Sequence, residues 1–118
     1  MGLRSAALPV ALISFIPLAV IASPHAAAAG STVTYQVDSD GSLSTVTYFD
    51  GMDDEKQISD VSAPWTMTFT NQATYPIYGL GAQTTGLHVA CQIAVNGQVR
   101  DQKSATGRYA VVNCNAAA

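Results

Sequence analysis

Few residues in this 118-residue chain have the type and spacing that chemistry requires. His88 lies between Leu87 and Val89, on what the alternation makes the outward side of a strand. A histidine so placed reads as a solvated or hydrogen-bonded structural residue. A Ser-His-Asp relay would need a nucleophile elbow, and no such pattern surrounds any serine. Asp50, Asp53, Asp54 and Glu55 put four acids in six residues, with Gly51 and Met52 between. Such a run could hold calcium, but it lacks the EF-hand spacing and Lys56 follows at once. It reads as a solvated hairpin tip. Asp38-Ser39-Asp40-Gly41 lacks the rest of an EF-hand as well. Gly79-x-Gly81 has no helix after it, so it is no phosphate loop. Cys91 and Cys114 are too far apart in sequence for a redox C-x-x-C pair, and zinc would need two further ligands. The expectation is a protein without catalysis, metal or cofactor.

The elements that position these residues fall into a leader and one small domain. Residues 1–29 hold 20 of the chain's 57 apolar residues. Arg4 precedes the apolar run Ala6–Ala22; Ser23-Pro24-His25 breaks it, and Ala26-Ala27-Ala28-Ala29-Gly30 follows. That is the order of a secretory signal, with the expected cut after Ala29. An uncleaved anchor is the alternative, although the run is at the lower limit for a span and Pro9 and Pro17 interrupt it. Residues 30–118 form a single domain, about 42% apolar, with four Lys/Arg against eight Asp/Glu. A net charge of −4 argues against nucleic acid and against docking on anionic lipid through charge. Two cysteines in a small exported domain point to one disulfide, Cys91–Cys114, worth roughly 3.5 kcal/mol in the chain-entropy picture. Two inert buried thiols are the other reading.

The domain reads as all-β. Val, Ile, Thr and aromatic residues make up 31 of its 89 positions, and Leu only three. Alternation predicts strands at Thr32–Val37, Leu43–Phe49, Trp65–Thr70, Leu87–Val95, Gln98–Lys103 and Arg108–Cys114. Asp40-Gly41 and Asn96-Gly97 are hairpin signals, the latter of type I′. A short edge strand near Lys56–Asp60 and another around Tyr78–Thr84 are weaker. About seven short strands in this length suggest a two-sheet antiparallel sandwich, immunoglobulin-like in architecture. Both cysteines fall on inward faces. Trp65, leading the face it shares with Met67 and Phe69, is expected to anchor the core. Tyr75-Pro76-Ile77-Tyr78 is aromatic and stands outside the clean strand pattern. It is either a packed connection or an exposed patch, with Tyr75 and Tyr78 the candidate partner contacts.

Several segments, taken in order, resemble the MmpS family of small mycobacterial membrane proteins. Ala63-Pro64-Trp65-Thr66 is similar to that family's Leu-Pro-Trp-Ser element. Cys91-Gln92-Ile93-Ala94-Val95-Asn96-Gly97-Gln98-Val99 is similar to its Cys-x-Ile-x-Val-Asp-Gly-x-Val hairpin. Val33-Thr34-Tyr35-Gln36-Val37, Val46-Thr47-Tyr48 with Asp50 soon after, and the ending at Cys114 keep the family's order. The resemblance covers nearly all of residues 31–115. It implies an extracytoplasmic β-sandwich and an accessory role beside MmpL transporters of the resistance-nodulation-division class, which export envelope lipids and siderophores. Family members usually keep an N-terminal membrane helix, whereas the Ala-rich cleavage site here implies a secreted variant. The other function class is a free secreted binding domain for a lipid, a peptide or a small molecule. Whether a transporter gene lies beside this one would separate the two.

Overall fold

The computed structural model describes residues 30–117; the expected leader and its cut after Ala29 lie outside them. Eight strands run alternately up and down: β1 Thr32–Ser39, β2 Leu43–Phe49, β3 Glu55–Val61, β4 Trp65–Thr70, β5 Ile77–Thr84, β6 His88–Val95, β7 Gln98–Thr106 and β8 Val111–Ala117. They form two antiparallel four-stranded sheets, in the orders β4-β1-β6-β7 and β3-β2-β5-β8. The count is eight rather than about seven. The two weak segments are both full strands, and β5, underestimated because Gly79 and Gly81 break its apolar pattern, pairs with β2 and β8 inside its sheet.

The period-two pattern works as β geometry requires. Val33, Tyr35 and Val37 of β1 and Val89, Cys91, Ile93 and Val95 of β6 face inward and are fully buried. They meet Leu43 and Val46 of β2, Leu80 and Ala82 of β5, and Val112 and Cys114 of β8. Cys91 lies in one sheet and Cys114 in the other, and the disulfide between them crosses the core, Cα to Cα 6.1 Å. Both cysteines point inward from facing sheets, and β6 packs on β8 across the core, so the pair joins the sheets rather than neighbouring strands.

Turn chemistry sets the registers. Asn96 and Gly97 both have positive φ, 51° and 83°, as the type I′ hairpin between β6 and β7 demands. The same Asn96 reaches back to β1: its side-chain oxygen accepts from the Thr32 N–H at 3.0 Å, and its N–H donates to the Thr32 carbonyl at 2.8 Å. At the other end Asp40 Oδ1 accepts from the N–H groups of Leu87 and His88, each at 3.0 Å. Ser39 Oγ bonds the Thr84 hydroxyl at 2.6 Å and the His88 carbonyl at 2.7 Å. Thr84 is thereby buried with its hydroxyl satisfied.

Candidate interaction surface

The chemically suggestive residues do not converge. His88 is half-buried at the start of β6, and its Nε2 is enclosed without a hydrogen-bond partner. Asp50 Oδ1 accepts from the N–H of Met52 at 2.8 Å and of Asp54 at 3.0 Å. Those two bonds, the Met52 one foremost, hold the Asp50 carboxyl below the usual carboxylate range, and Lys56 adds a weak pull from 3.9 Å. Asp53 Oδ1 accepts from the Ile77 N–H at 3.0 Å. The acidic run is therefore occupied in tying its own loop and the start of β5. Among the described residues, no group of three or more His, Cys, Asp or Glu is arranged to hold a metal ion.

Gly79 and Gly81 lie on the outer face of their sheet. A Cβ on Gly79 would come within 2.9 Å of the Phe49 ring, and one on Gly81 within 2.7 Å of Asn113 Oδ1. The glycines make room for those side chains. Together with Thr47, Glu55 and Asn115 they line a shallow groove of about 130 Å³. That is well under the roughly 300–1,000 Å³ of a typical ligand pocket. Between the sheets, Tyr35 and Tyr78 occupy the space where an apolar cargo would have to lie. Tyr35 stacks edge-on against Tyr48 and Phe69 and donates its hydroxyl proton to the Phe49 carbonyl at 2.6 Å.

The aromatic stretch divides. Tyr75 is 85% exposed and Ile77 52%, but Tyr78 is 1% exposed. Tyr78 is thus corrected from candidate contact to core residue. It is the first inward position of β5, and period-two geometry turns it away from Ile77, while Tyr75 lies in the bend before the strand. Burial raises its phenol pKa, and its hydroxyl has no partner. Trp65 is half-buried. It heads β4 at the edge of its sheet and packs on the flank of the core, its ring 5.4 Å from that of Tyr48. The largest fully buried side chains are Tyr35, Tyr78, Leu43 and Ile93.

One end of the sandwich gathers most of the exposed apolar surface. Met52 is 63% exposed in the β2–β3 connection, beside Tyr75 and Ile77, and Val99 is 48% exposed just past the Asn96-Gly97 turn. The loops are bound together there. The Gln72 N–H donates to the Gly51 carbonyl at 2.7 Å, and Gly30 donates to the Asn71 carbonyl at 2.9 Å. Gly30 thus opens the domain at this same end. The opposite end exposes Leu87, Tyr109 and Val111, with Arg108 5.6 Å from the Tyr109 ring centroid. Leu87 was expected on the inward face with Val89. It stands in the turn before β6 and is 61% exposed. Met52 was legible only as a lone apolar residue in an acidic run, which is a weak signal.

Residues 18–118 match the family described as Mycobacterium membrane protein, so the match starts inside the apolar leader. The Siderophore export accessory protein MmpS5 of Mycobacterium tuberculosis (strain ATCC 25618 / H37Rv) is 32% identical over 82 residues. Those residues are 70% of this chain and 58% of that protein. The Probable transport accessory protein MmpS2 of Mycobacterium bovis (strain ATCC BAA-935 / AF2122/97) is 30% identical over 82 residues, 70% of this chain and 57% of that protein. The match thus spans little more than half the length of these relatives.

Proposed function

Because the chain belongs to the Mycobacterium membrane protein family, as a member of its MmpS group, we propose that it is a non-catalytic accessory protein of an MmpL-type exporter. The exporter's cargo in this reading is an envelope lipid or a siderophore. The observation that carries the proposal is the family match, which runs across the whole β domain, together with relatives whose names are those of transport accessory proteins. The physical features agree with an adaptor better than with a carrier. The core is closed by valines and by Tyr35, Tyr48 and Tyr78 and crossed by a disulfide, and the outer groove is smaller than a cargo molecule needs.

The leader exports the chain to the extracytoplasmic side and is cut after Ala29. The contact surface is the end bearing Met52, Tyr75 and Ile77, apolar side chains rimmed by Asp50, Asp54 and Glu55. Such a mixture suits a protein partner with apolar and basic groups; the acids disfavour an anionic bilayer. Deleting the gene is expected to lower the siderophore or lipid recovered outside the cell, with restoration by the intact gene. Unchanged export, with no transporter domain retained by the immobilised protein, returns the molecule to the class of free binding proteins.

A further inference from the structure

A four-stranded sheet has two edges, so this sandwich presents four edge strands: β4 and β7 in one sheet, β3 and β8 in the other. Edge strands carry unpaired backbone groups, and proteins ordinarily blunt them with charge, bulges or cover. Three of the four are blunted here. β3 carries Glu55, Lys56 and Asp60, and Asp60 has φ 55°, which interrupts the extended backbone. β7 carries Arg100, Asp101 and Lys103, and its pairing with β6 shifts register between Ile93 and Ala94. β8 is covered on its outer side, where Asp101 Oδ2 accepts from the Asn115 N–H at 2.7 Å.

Apart from its last residue, Thr70, against which Gly51 packs, β4 has none of these devices. Its sequence, Trp65-Thr66-Met67-Thr68-Phe69-Thr70, contains no charge, no proline and no residue of positive φ, and its register with β1 is unbroken. The two flanks of the sandwich differ in the same sense. On one, β7 and β8 lie against each other and the Lys103–Asp101 ion pair and the Asn115 bond join them. On the other, β3 and β4 have hardly any contact, and Trp65, Met67 and Phe69 are left half-buried along the opening.

We propose that β4 is an interface strand, which pairs antiparallel with β4 of a second copy of this chain and joins the two β4-β1-β6-β7 sheets into one of eight strands. The occupant follows from self-complementarity. A two-fold axis through Met67 sets Trp65 opposite Phe69 of the second copy and Thr66 opposite its Thr68. Apolar side chains then meet apolar ones on the inner face and hydroxyls meet hydroxyls on the outer. Such cross-strand aromatic and threonine pairs are favourable, and no like charges oppose one another. A symmetric C2 contact of this kind closes on itself and leaves no further free β4 edge to propagate it. None of the other three edges can pair with itself without placing charges in the seam or displacing the Asp101 cap.

The test uses the exported, disulfide-bonded chain. Light scattering across a concentration series is expected to reach twice the chain mass, and hydrogen exchange in β4 is expected to slow as the dimer forms. Thr66→Lys with Thr68→Lys, both exposed positions, places lysines opposite lysines and should raise the dimer Kd at least about tenfold. Thr106→Lys, exposed on the β7 edge, should leave the dimer unchanged. Far-UV circular dichroism and the intact disulfide establish that each variant is folded. A monomer at every concentration overturns the proposal, whether or not the free edge binds another protein's strand. So does a dimer that survives the double lysine variant with β4 exchange unaltered. Neither result bears on the transport reading, which gene deletion tests separately.

Discussion

Asp101 lies on β7, and its carboxylate reaches across to β8. It accepts from Lys103 Nζ at 2.8 Å and from the Asn115 N–H at 2.7 Å, so that one carboxylate links an edge of each sheet. The Lys103 bond, with those from the Asn115 and Gln102 N–H groups, lowers its pKa from the ordinary 3.8. A depressed carboxylate contributes stability that is present above its unfolded pKa. That contribution is lost as pH falls through the lower folded value. Asp101→Asn is therefore expected to be less stable than the parent at neutral pH, with the difference fading below about pH 4. Urea midpoints at the two pH values measure it; an equal deficit at both contradicts the linkage. Trp65 is a different case. Being half-buried, it should cost about 2–3 kcal/mol on truncation to Ala and leave a folded domain, whereas Tyr35→Ala in the closed centre should cost about 3–5 kcal/mol. Denaturant unfolding of the two variants ranks them.

At the level of elements, the sandwich is held by a few cross-links between sheets whose strands are short. The disulfide ties β6 to β8 across the core and closes a separation of 23 residues. Cys91→Ser should remove about 3.5 kcal/mol, a large part of the stability of a domain this small. A thermal midpoint within a few degrees of the parent would assign the stability elsewhere. The β6–β7 hairpin depends on Gly97, whose φ of 83° suits glycine. Gly97→Val should destabilise by about 1–2 kcal/mol. The same turn locks onto β1 through Asn96, so the loss should also appear as faster hydrogen exchange near Thr32.

For the whole molecule, the arrangement of surfaces matters more than any single group. The end with Met52, Tyr75 and Ile77 is also the end at which Gly30 opens the domain. Met52→Ser with Tyr75→Ser should leave stability within about 0.5 kcal/mol, because both side chains are mostly exposed. In the adaptor reading the same pair lowers export of the siderophore or lipid. Normal export from a strain carrying both changes would remove this end from the proposed contact. Intact-mass measurement of the exported protein is expected to begin at Gly30 or within two residues; a membrane-bound product retaining Met1 would make the leader an anchor.

The alternation of Val33, Tyr35 and Val37, and of Val89 to Val95, determined the inward faces, because a pleated strand leaves only two sides to choose between. Asn96-Gly97 determined its turn, because few residue pairs accept two positive φ values. The ordered motifs suffice to place the chain in its family. Tertiary structure decided the rest. Local pattern carries no record of which strands become neighbours, so the central place of β5, the crossing of the core by the disulfide and the edge position of Trp65 all came from the sheet orders. Tyr75 and Tyr78 look alike in sequence and differ by the whole of their burial, since Tyr75 lies in the bend before β5 and Tyr78 is the first inward position of the strand. The open β4 edge is legible only once the other three edges are seen to be blunted, because exposure of a backbone edge belongs to the assembled sheets and to no residue alone.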